Sequence, residues 1–250
     1  MNDIDDIRER VAQACRVLGT LDLTKAATGH VSARLPGTER AFIRARGQDE
    51  LGVRYTTPAE ILEIDLDGRA VGDTPGLVAP SEVFIHTALY RARPEVNAVV
   101  HIHPRTVVLF TVCKKPLLPL FGAYDPGGAR LALDGIPTYD RSITITTPEL
   151  GADLVRAIGS KRVCLMRGHG ITTAHHSVEE AALDAIALNE LATLNYEAHL
   201  LGDPEPISEE DQAVFRSGKE SRQYSAAGDG RPGGRAKAAW RYYTTLTASG

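Results

Sequence analysis

Two histidines that could bind a metal lie close together in the stretch NAVVHIHP, residues 97–104. Residues 98–100 are apolar and predict the start of a buried strand, which Pro104 ends. Because strand side chains alternate between faces, His101 and His103 should share one face, roughly 7 Å apart along the strand. Neutral imidazole is a common ligand of zinc and similar metals, so the pair predicts a metal site. Two hydrogen-bonded core histidines are the alternative that this spacing leaves open.

A third histidine, His169, follows the apolar run VCLM (163–166) and has a glycine on each side. Glycine lets a backbone approach an ion or a substrate closely, although an ordinary glycine turn with a chance histidine remains the alternative. Three histidines at two neighbouring strand ends would form a tripod with open coordination positions, which is typical of catalytic metal sites. We favour zinc as the ion, with Mn, Co or Fe as alternatives.

A glutamate could complete this group. Glu82 begins a helix predicted over residues 82–93, after the helix-opening pair Pro80-Ser81, and His86 lies one turn further on the same face. A carboxylate in this position often only stabilises the helix dipole. Near a dication it could instead ligate the ion when substrate is absent and move protons when substrate displaces it.

Two arginines, Arg44 and Arg46, are separated by one residue on a strand predicted over residues 41–46. Their side chains should point to one face, where the guanidinium groups could clamp a substrate carboxylate through paired hydrogen bonds. The alternative is an exposed strand edge with two solvated arginines, since surface ion pairs contribute little.

Composition predicts one large globular domain, because 43% of the 250 residues are hydrophobic and 24% are charged. No apolar run approaches the roughly 20 residues of a membrane span, and the acidic start lacks the segments of a signal peptide. We therefore expect a cytoplasmic protein with no membrane partner. The 28 basic and 32 acidic residues predict no nucleic-acid partner.

Short strands alternate with helices along the chain. The helices are predicted over about 5–18, 82–93, 106–112, 148–159 and 178–200, with capping signals at Thr57, Thr147 and Ser177. The strand VCLM is expected to continue into GHGITTA (168–174). Several links between strands are too short for parallel crossovers, which predicts an α/β fold with a mixed, largely antiparallel sheet and helices on both faces. We expect a catalytic domain over 1–216, a flexible glycine-rich segment over 217–237 and an aromatic segment over 238–250.

In order and spacing, three segments resemble the class II aldolase/adducin family. They are GHVSAR (29–34), PSEVFIHTALYRARPEVNAVVHIHP (80–104) and LMRGHGITTAHHSVEEAALDA (165–185). The likeness covers about residues 5–200. It implies a three-layer α/β/α fold and a homotetramer with the site between subunits. It also implies metal ligands at His101, His103 and His169, and a catalytic acid/base at Glu82.

Departures from the sugar-phosphate members of this family concern the substrate. Those members carry Asn where this chain has His30, a Thr-Gly pair where it has ARGQDE (45–50), and a Ser-Ser pair of which only Ser81 remains. Loss of the small hydroxyls and backbone amides that would cradle a phosphate predicts a non-phosphorylated small-molecule carboxylate. His30, Ser32 and Ser81, together with the two arginines, are then the expected substrate-binding residues. Tyr124 falls where the family keeps a tyrosine proton donor.

The resemblance implies an enzyme, a lyase that stabilises a carbanion as an enolate beside a divalent metal. The arginine pair and an apolar pocket expected around Phe121 and Tyr124 favour decarboxylation of an aromatic hydroxy or dihydroxy acid, as in members without a phosphate loop that act on dihydroxyphthalate. Aldol cleavage of a 2-keto or 2-hydroxy acid is one alternative, and Fe(II)-dependent oxygenation of a hydroxyphenylpyruvate-type acid is another. The non-enzyme alternative is an adducin-like interaction domain, in which the metal site has decayed.

Overall fold

A seven-stranded sheet forms the centre of the protein in a computed structural model that describes residues 3–121, 126–217 and 234–247. The strands of these residues are β1 (His30–Arg34), β2 (Arg40–Arg44), β3 (Arg46–Gly47), β4 (Ile61–Asp65), β5 (Leu77–Val78), β6 (Ala98–Ile102), β7 (Thr138–Tyr139), β8 (Val163–Met166) and β9 (Gly170–His175). The sheet order is β4-β2-β1-β6-β9-β8-β7, whereas β3 and β5 form a separate ladder. In the large sheet, the described strands pair in parallel only between β7 and β8. The predicted mixed, mainly antiparallel sheet is confirmed.

Helices cover both faces of this sheet. They are α1 (Asp3–Thr20), α2 (Val83–Ala92), α3 (Arg105–Val112), α4 (Pro126–Ala132), α5 (Pro148–Ile158), α6 (Val178–Leu201), α7 (Glu209–Ser217) and α8 (Gly234–Thr245). Apolar residues of α1, α3 and α6 pack into one core, and those of α2 and α5 into another. Successive strand residues alternate between them: Val99 belongs to the α2–α5 core and Val100 to the other. The three-layer α/β/α arrangement is therefore confirmed.

Side-chain caps fix where two of the helices begin. The Thr147 hydroxyl accepts the Leu150 backbone N–H at 3.4 Å at the start of α5, and the Ser177 hydroxyl accepts that of Glu180 at 3.3 Å at the start of α6. The third signal, at Thr57, begins only a three-residue 3-10 turn, Pro58–Glu60. Strand β4 follows at once, so the capping signal at Thr57 begins a short turn rather than a longer helix.

The segment that follows VCLM forms a hairpin rather than a continuation of the strand. Strands β8 and β9 pair antiparallel, with Met166 opposite Gly170, and residues 167–169 form the turn between them. Gly168 takes a φ of +63° in this turn, a conformation that favours glycine. The hairpin places His169 at the same end of the sheet as the end of β6.

The C-terminal part of the chain differs in its boundaries from the prediction. Helix α7 ends at Ser217, and α8 begins at Gly234, inside the segment predicted to be flexible. Residues 218–233 of that segment lie outside the described residues. Trp240 and Tyr243 of α8 are partly buried against the core of α1 and α6. Among the described residues, no helix combines the length and the apolar character that a membrane crossing requires.

Candidate active site

The end of β6 brings two histidines together. His101 is fully buried, His103 is half-buried, and their Nε2 atoms lie 2.9 Å apart. Their rings meet edge to face with centroids 4.7 Å apart. The two side chains thus converge on one face of the strand, as the alternation of strand residues predicts.

Two further groups from separate elements meet this pair. Glu82 stands at the N-terminus of α2, and His169 lies in the β8–β9 turn. One carboxylate oxygen of Glu82, Oε2, lies 3.5 Å from Nε2 of His101 and 3.3 Å from Nε2 of His169. The ligand atoms of Glu82 and the three histidines all lie within 4.8 Å of one another. The structure therefore brings together the four residues that the sequence grouped.

The backbone around this cluster holds its side chains in place. Nδ1 of His101 lies 3.0 Å from the carbonyl of Ile171, so Nδ1 carries the proton and Nε2 keeps its lone pair. The Ile145 backbone N–H donates to Oε1 of Glu82 at 3.0 Å, a contact that sequence patterns gave no means of finding. A Cβ on Gly170 would meet the Ile102 carbonyl at 2.2 Å, so only glycine allows β9 to approach β6 here.

Electrostatics favour a cation at the centre of the cluster. Burial, with the charge of His101, lowers the pKa of His103 to about 3. Burial also lowers the pKa of His101. For Glu82, burial acts to raise the pKa, but hydrogen bonds and charge interactions with His101 and His169 outweigh it and hold the pKa far below its ordinary value. An ionised Glu82 beside the neutral rings of His101 and His103 favours a bound cation.

The donor set fits a divalent metal ion. Imidazole nitrogens and a carboxylate oxygen are the ligands that zinc and related ions take. Two nitrogens bonded to one ion at about 2.0–2.1 Å cannot lie more than about 4 Å apart, and the Nε2 atoms of His101 and His103 are well within that limit. Three histidine ligands would leave open positions for a substrate.

His30 and Ser32, both predicted to bind substrate, belong to a chain of buried hydrogen bonds. Nδ1 of His30 lies 2.6 Å from Nε2 of His86, whose Nδ1 lies 2.6 Å from the Ser32 hydroxyl. That hydroxyl lies 2.6 Å from the hydroxyl of Tyr90. The His30 ring lies beside His101, with centroids 5.1 Å apart, so His30 borders the cluster. Ser32 is fully buried between His86 and Tyr90 and faces no substrate, which corrects its predicted role.

His86 makes the stability of the metal-free protein depend on pH. Burial lowers its pKa to about 3, so the folded protein resists the proton that the unfolded chain takes up below about pH 6.5. Stability is thus fully present above that pH and falls on acidification, by up to about 1.4 kcal/mol per pH unit and roughly 5 kcal/mol down to pH 3. Urea unfolding between pH 7 and 4 should show a shallower loss for His86→Gln. Parallel pH profiles of the two proteins would contradict this assignment.

The predicted arginine clamp does not form. Arg44 ends β2 and is 1% exposed, and its guanidinium donates to the Glu50 carboxylate, the Thr56 hydroxyl and the carbonyls of residues 27 and 29. Arg46 lies in β3, with its Nε 2.9 Å from the other Glu50 oxygen. Because Arg44 is fully bound by protein groups, it holds the loop before β1 instead of binding substrate.

Breaking the buried Arg44–Glu50 pair should destabilise the protein strongly. We expect Arg44→Ala to lower the free energy of unfolding by about 3–5 kcal/mol, because Glu50 would keep a buried charge with one partner fewer. Arg40→Ala is the matched control, since Arg40 is half exposed and pairs with Glu63 on the surface, so its loss should cost less than about 1 kcal/mol. Denaturant unfolding of both variants measures the difference, and equal losses would contradict the structural role.

The predicted roles of two further site residues, Ser81 and Tyr124, stay predictions. Ser81 is exposed and directly precedes Glu82, and its role in substrate binding stays a prediction. Tyr124 lies outside the described residues, and its role as a proton donor also stays a prediction. Phe121, expected beside it in an apolar pocket, is 55% exposed and its ring contacts Phe215 at a centroid distance of 5.4 Å.

Known proteins resemble the chain along most of its length. The family model described as the Class II Aldolase and Adducin N-terminal domain matches residues 9–196. A 3,4-dihydroxyphthalate decarboxylase from Arthrobacter keyseri is 40% identical over 198 residues, which are 78% of this chain and 79% of that protein. A 3,4-dihydroxyphthalate decarboxylase from Terrabacter sp. (strain DBF63) is 39% identical over 197 residues, which are 78% of this chain and 82% of that protein. The crystal structure of an aldolase II superfamily protein from Pseudomonas syringae superposes with a TM-score of 0.81 at 25% identity, covering 100% of this chain and 95% of that one.

Proposed function

Because the chain belongs to the class II aldolase and adducin family, we propose that it is a metal-dependent lyase that decarboxylates an aromatic dihydroxy acid. One observation carries the proposal: the ligand atoms of Glu82, His101, His103 and His169 converge within 4.8 Å. They do so in a chain about 40% identical to two decarboxylases of such an acid. We take a dihydroxyphthalate-type acid as the substrate, by analogy with those relatives.

The three histidines would hold the metal, and zinc is our first choice, with Mn, Co or Fe as alternatives. When bound, such an ion stabilises negative charge that develops on substrate oxygens. The family is metal-dependent, in agreement with the His/Glu cluster. The Ile171 carbonyl orients His101 by accepting its Nδ1–H, which keeps Nε2 free as a ligand.

Glu82 is the group placed to move a proton. It enters the reaction as a carboxylate, whose Oε2 has the lone pairs to accept the proton of a substrate hydroxyl. The bond between the ring carbon and the carboxylate then breaks, CO2 leaves, and the electron pair stays on the ring. Glu82 returns its proton to that carbon, which regenerates the Glu82 carboxylate and leaves the former hydroxyl oxygen as a phenolate. The Ile145 N–H holds Oε1 of Glu82 throughout, which leaves Oε2 for this exchange.

Charge and bulk near the loop before β1 argue against a phosphorylated substrate. Arg44 and Arg46 both bind the Glu50 carboxylate and both donate to the carbonyl of Ala27, so these guanidinium groups are already engaged within the protein. His30 fills a position next to the cluster with a ring that hydrogen-bonds His86. A non-phosphorylated acid therefore suits this region better than a sugar phosphate.

Metal analysis of the purified protein together with a substrate panel tests the proposal. We expect about one divalent ion per chain and release of CO2 from 3,4-dihydroxyphthalate without oxygen uptake. Aldehyde release from a 4-hydroxy-2-keto acid would instead show an aldolase, and oxygen uptake with a hydroxyphenylpyruvate would show an Fe(II) oxygenase. Absence of bound metal and of all three activities would leave an adducin-like interaction domain.

The assembly and location of the protein are also proposals. A homotetramer with the site between subunits is expected for this family and can be measured by analytical ultracentrifugation. A cytoplasmic location and a catalytic domain over 1–216 agree with the sequence patterns. Limited proteolysis that leaves a resistant fragment ending near residue 216 would support this domain boundary.

A further inference from the structure

The hydrogen-bond chain behind His30 has a feature that the decarboxylase proposal does not use. It runs from Tyr90 through Ser32 and His86 to His30, and each of its three contacts is 2.6 Å long. All four residues are buried, and the outermost ring, that of His30, is 6% exposed. Each member carries one proton to share, so the direction of donation is the same along the whole chain.

Tyr90 decides that direction. Burial raises the pKa of its hydroxyl, so the hydroxyl keeps its proton. Among the described residues, Ser32 is the one acceptor that the Tyr90 O–H reaches. Tyr90 must therefore donate to Ser32, because the reverse order would leave its own buried proton without an acceptor.

The remaining protons follow from this step. The Ser32 hydroxyl accepts from Tyr90 and donates to Nδ1 of His86. A neutral His86 then carries its proton on Nε2 and donates it to Nδ1 of His30. A neutral His30 must in turn carry its proton on Nε2. Within the described part of the chain, that atom has no hydrogen-bond partner, so it is available to a ligand.

We propose that Tyr90, Ser32 and His86 form a one-way hydrogen-bond relay that fixes His30 as an Nε2–H donor to an anionic oxygen of the substrate. His30 is then the residue that touches substrate, and the other three are positioning residues. Its ring lies 5.1 Å from that of His101, so the donor stands beside the metal cluster. A fixed N–H donor favours a carboxylate or phenolate oxygen over a group, such as an ammonium, that has only protons to donate. This specificity role rests on the proposed decarboxylase function, whereas the tautomer of His30 does not.

The tautomers can be read directly in the full-length protein loaded with diamagnetic zinc. Nitrogen-15 NMR of histidine-labelled protein separates Nε2–H from Nδ1–H rings, and His30→Asn and His86→Gln assign the two signals. We expect Nε2–H for both residues in the wild type. In Tyr90→Phe we expect part of the His30 signal to move to Nδ1–H, because the donor that sets the direction is gone. Nδ1–H for His30 in the wild type would overturn the relay, and so would an unchanged signal in Tyr90→Phe.

Kinetics then test the role in binding. With 3,4-dihydroxyphthalate, His30→Phe should raise KM about 10- to 100-fold, the range for loss of a hydrogen bond to a charged group. Tyr90→Phe and Ser32→Ala should raise KM by a smaller factor, with little change in kcat. Ser32→Thr keeps a hydroxyl, so its KM should be close to that of the wild type. Tyr196→Phe is the control, because Tyr196 is 44% exposed on α6. An unchanged KM in His30→Phe would overturn the donor role, whereas inactivity of the wild type on the whole panel would refute the decarboxylase and leave the tautomer result standing.

Discussion

Replacing His103 with alanine is expected to abolish both metal binding and turnover. The substitution removes one of three imidazole ligands, and its nitrogen lies 2.9 Å from that of His101 at the centre of the cluster. Two histidines and a carboxylate would hold the ion far more weakly, because each ligand adds to a chelate whose geometry the other residues already fix. Metal content measured by mass spectrometry and CO2 release from 3,4-dihydroxyphthalate should fall together to background.

The control for this change is His176→Ala. His176 is exposed, and its Nδ1 contacts the Glu95 carbonyl at 3.0 Å on another part of the surface. This variant should keep its metal and its activity. If His103→Ala kept a full complement of metal, the ligand assignment would be wrong. If it lost the metal and kept turnover, the metal-dependent mechanism would be wrong.

The metal cluster was predictable because local sequence patterns determine where its side chains lie. The alternation of strand residues puts His101 and His103 on one face, and the helix-opening signal at Pro80 puts Glu82 at an N-terminus. The turn that contains His169 is marked by glycines, although the prediction that this segment continues the strand VCLM was wrong. The succession of short strands and helices along the chain likewise predicted helices on both faces of the sheet.

The surroundings of the cluster were less predictable because they depend on contacts between distant elements. Arg44 and Arg46 fit a strand pattern, but the strand ends at Arg44, and Glu50 satisfies both guanidinium groups. Ser32 was predicted to bind substrate, but it lies in β1 beside β6, and its hydroxyl meets His86 and Tyr90. A single sequence gives no signal for the partner of a buried polar group, since that partner is chosen by the packing of separate helices and strands.

Replacing Glu82 with glutamine should separate proton transfer from metal binding. Glutamine has nearly the same shape and can accept the Ile145 N–H through its amide oxygen, but it can neither take nor return a proton. The three histidines remain, so we expect the metal to stay bound and kcat to fall by about 10²- to 10⁴-fold, the usual contribution of a general acid or base. Metal content and the rate of CO2 release, measured on the same sample, give both quantities.

The outcome of Glu82→Gln distinguishes two roles that the geometry combines, since Oε2 lies within 3.5 Å of the ligand nitrogens of both His101 and His169. A loss of metal in proportion to activity would make Glu82 a ligand first and would remove the argument for its proton transfer. A kcat within threefold of the wild type would exclude the acid/base role. Glu210→Gln, on the exposed first turn of α7, controls for loss of a negative charge and should leave both measurements unchanged. Only a low kcat with the metal retained agrees with a carboxylate that takes a proton from the substrate and returns it to carbon.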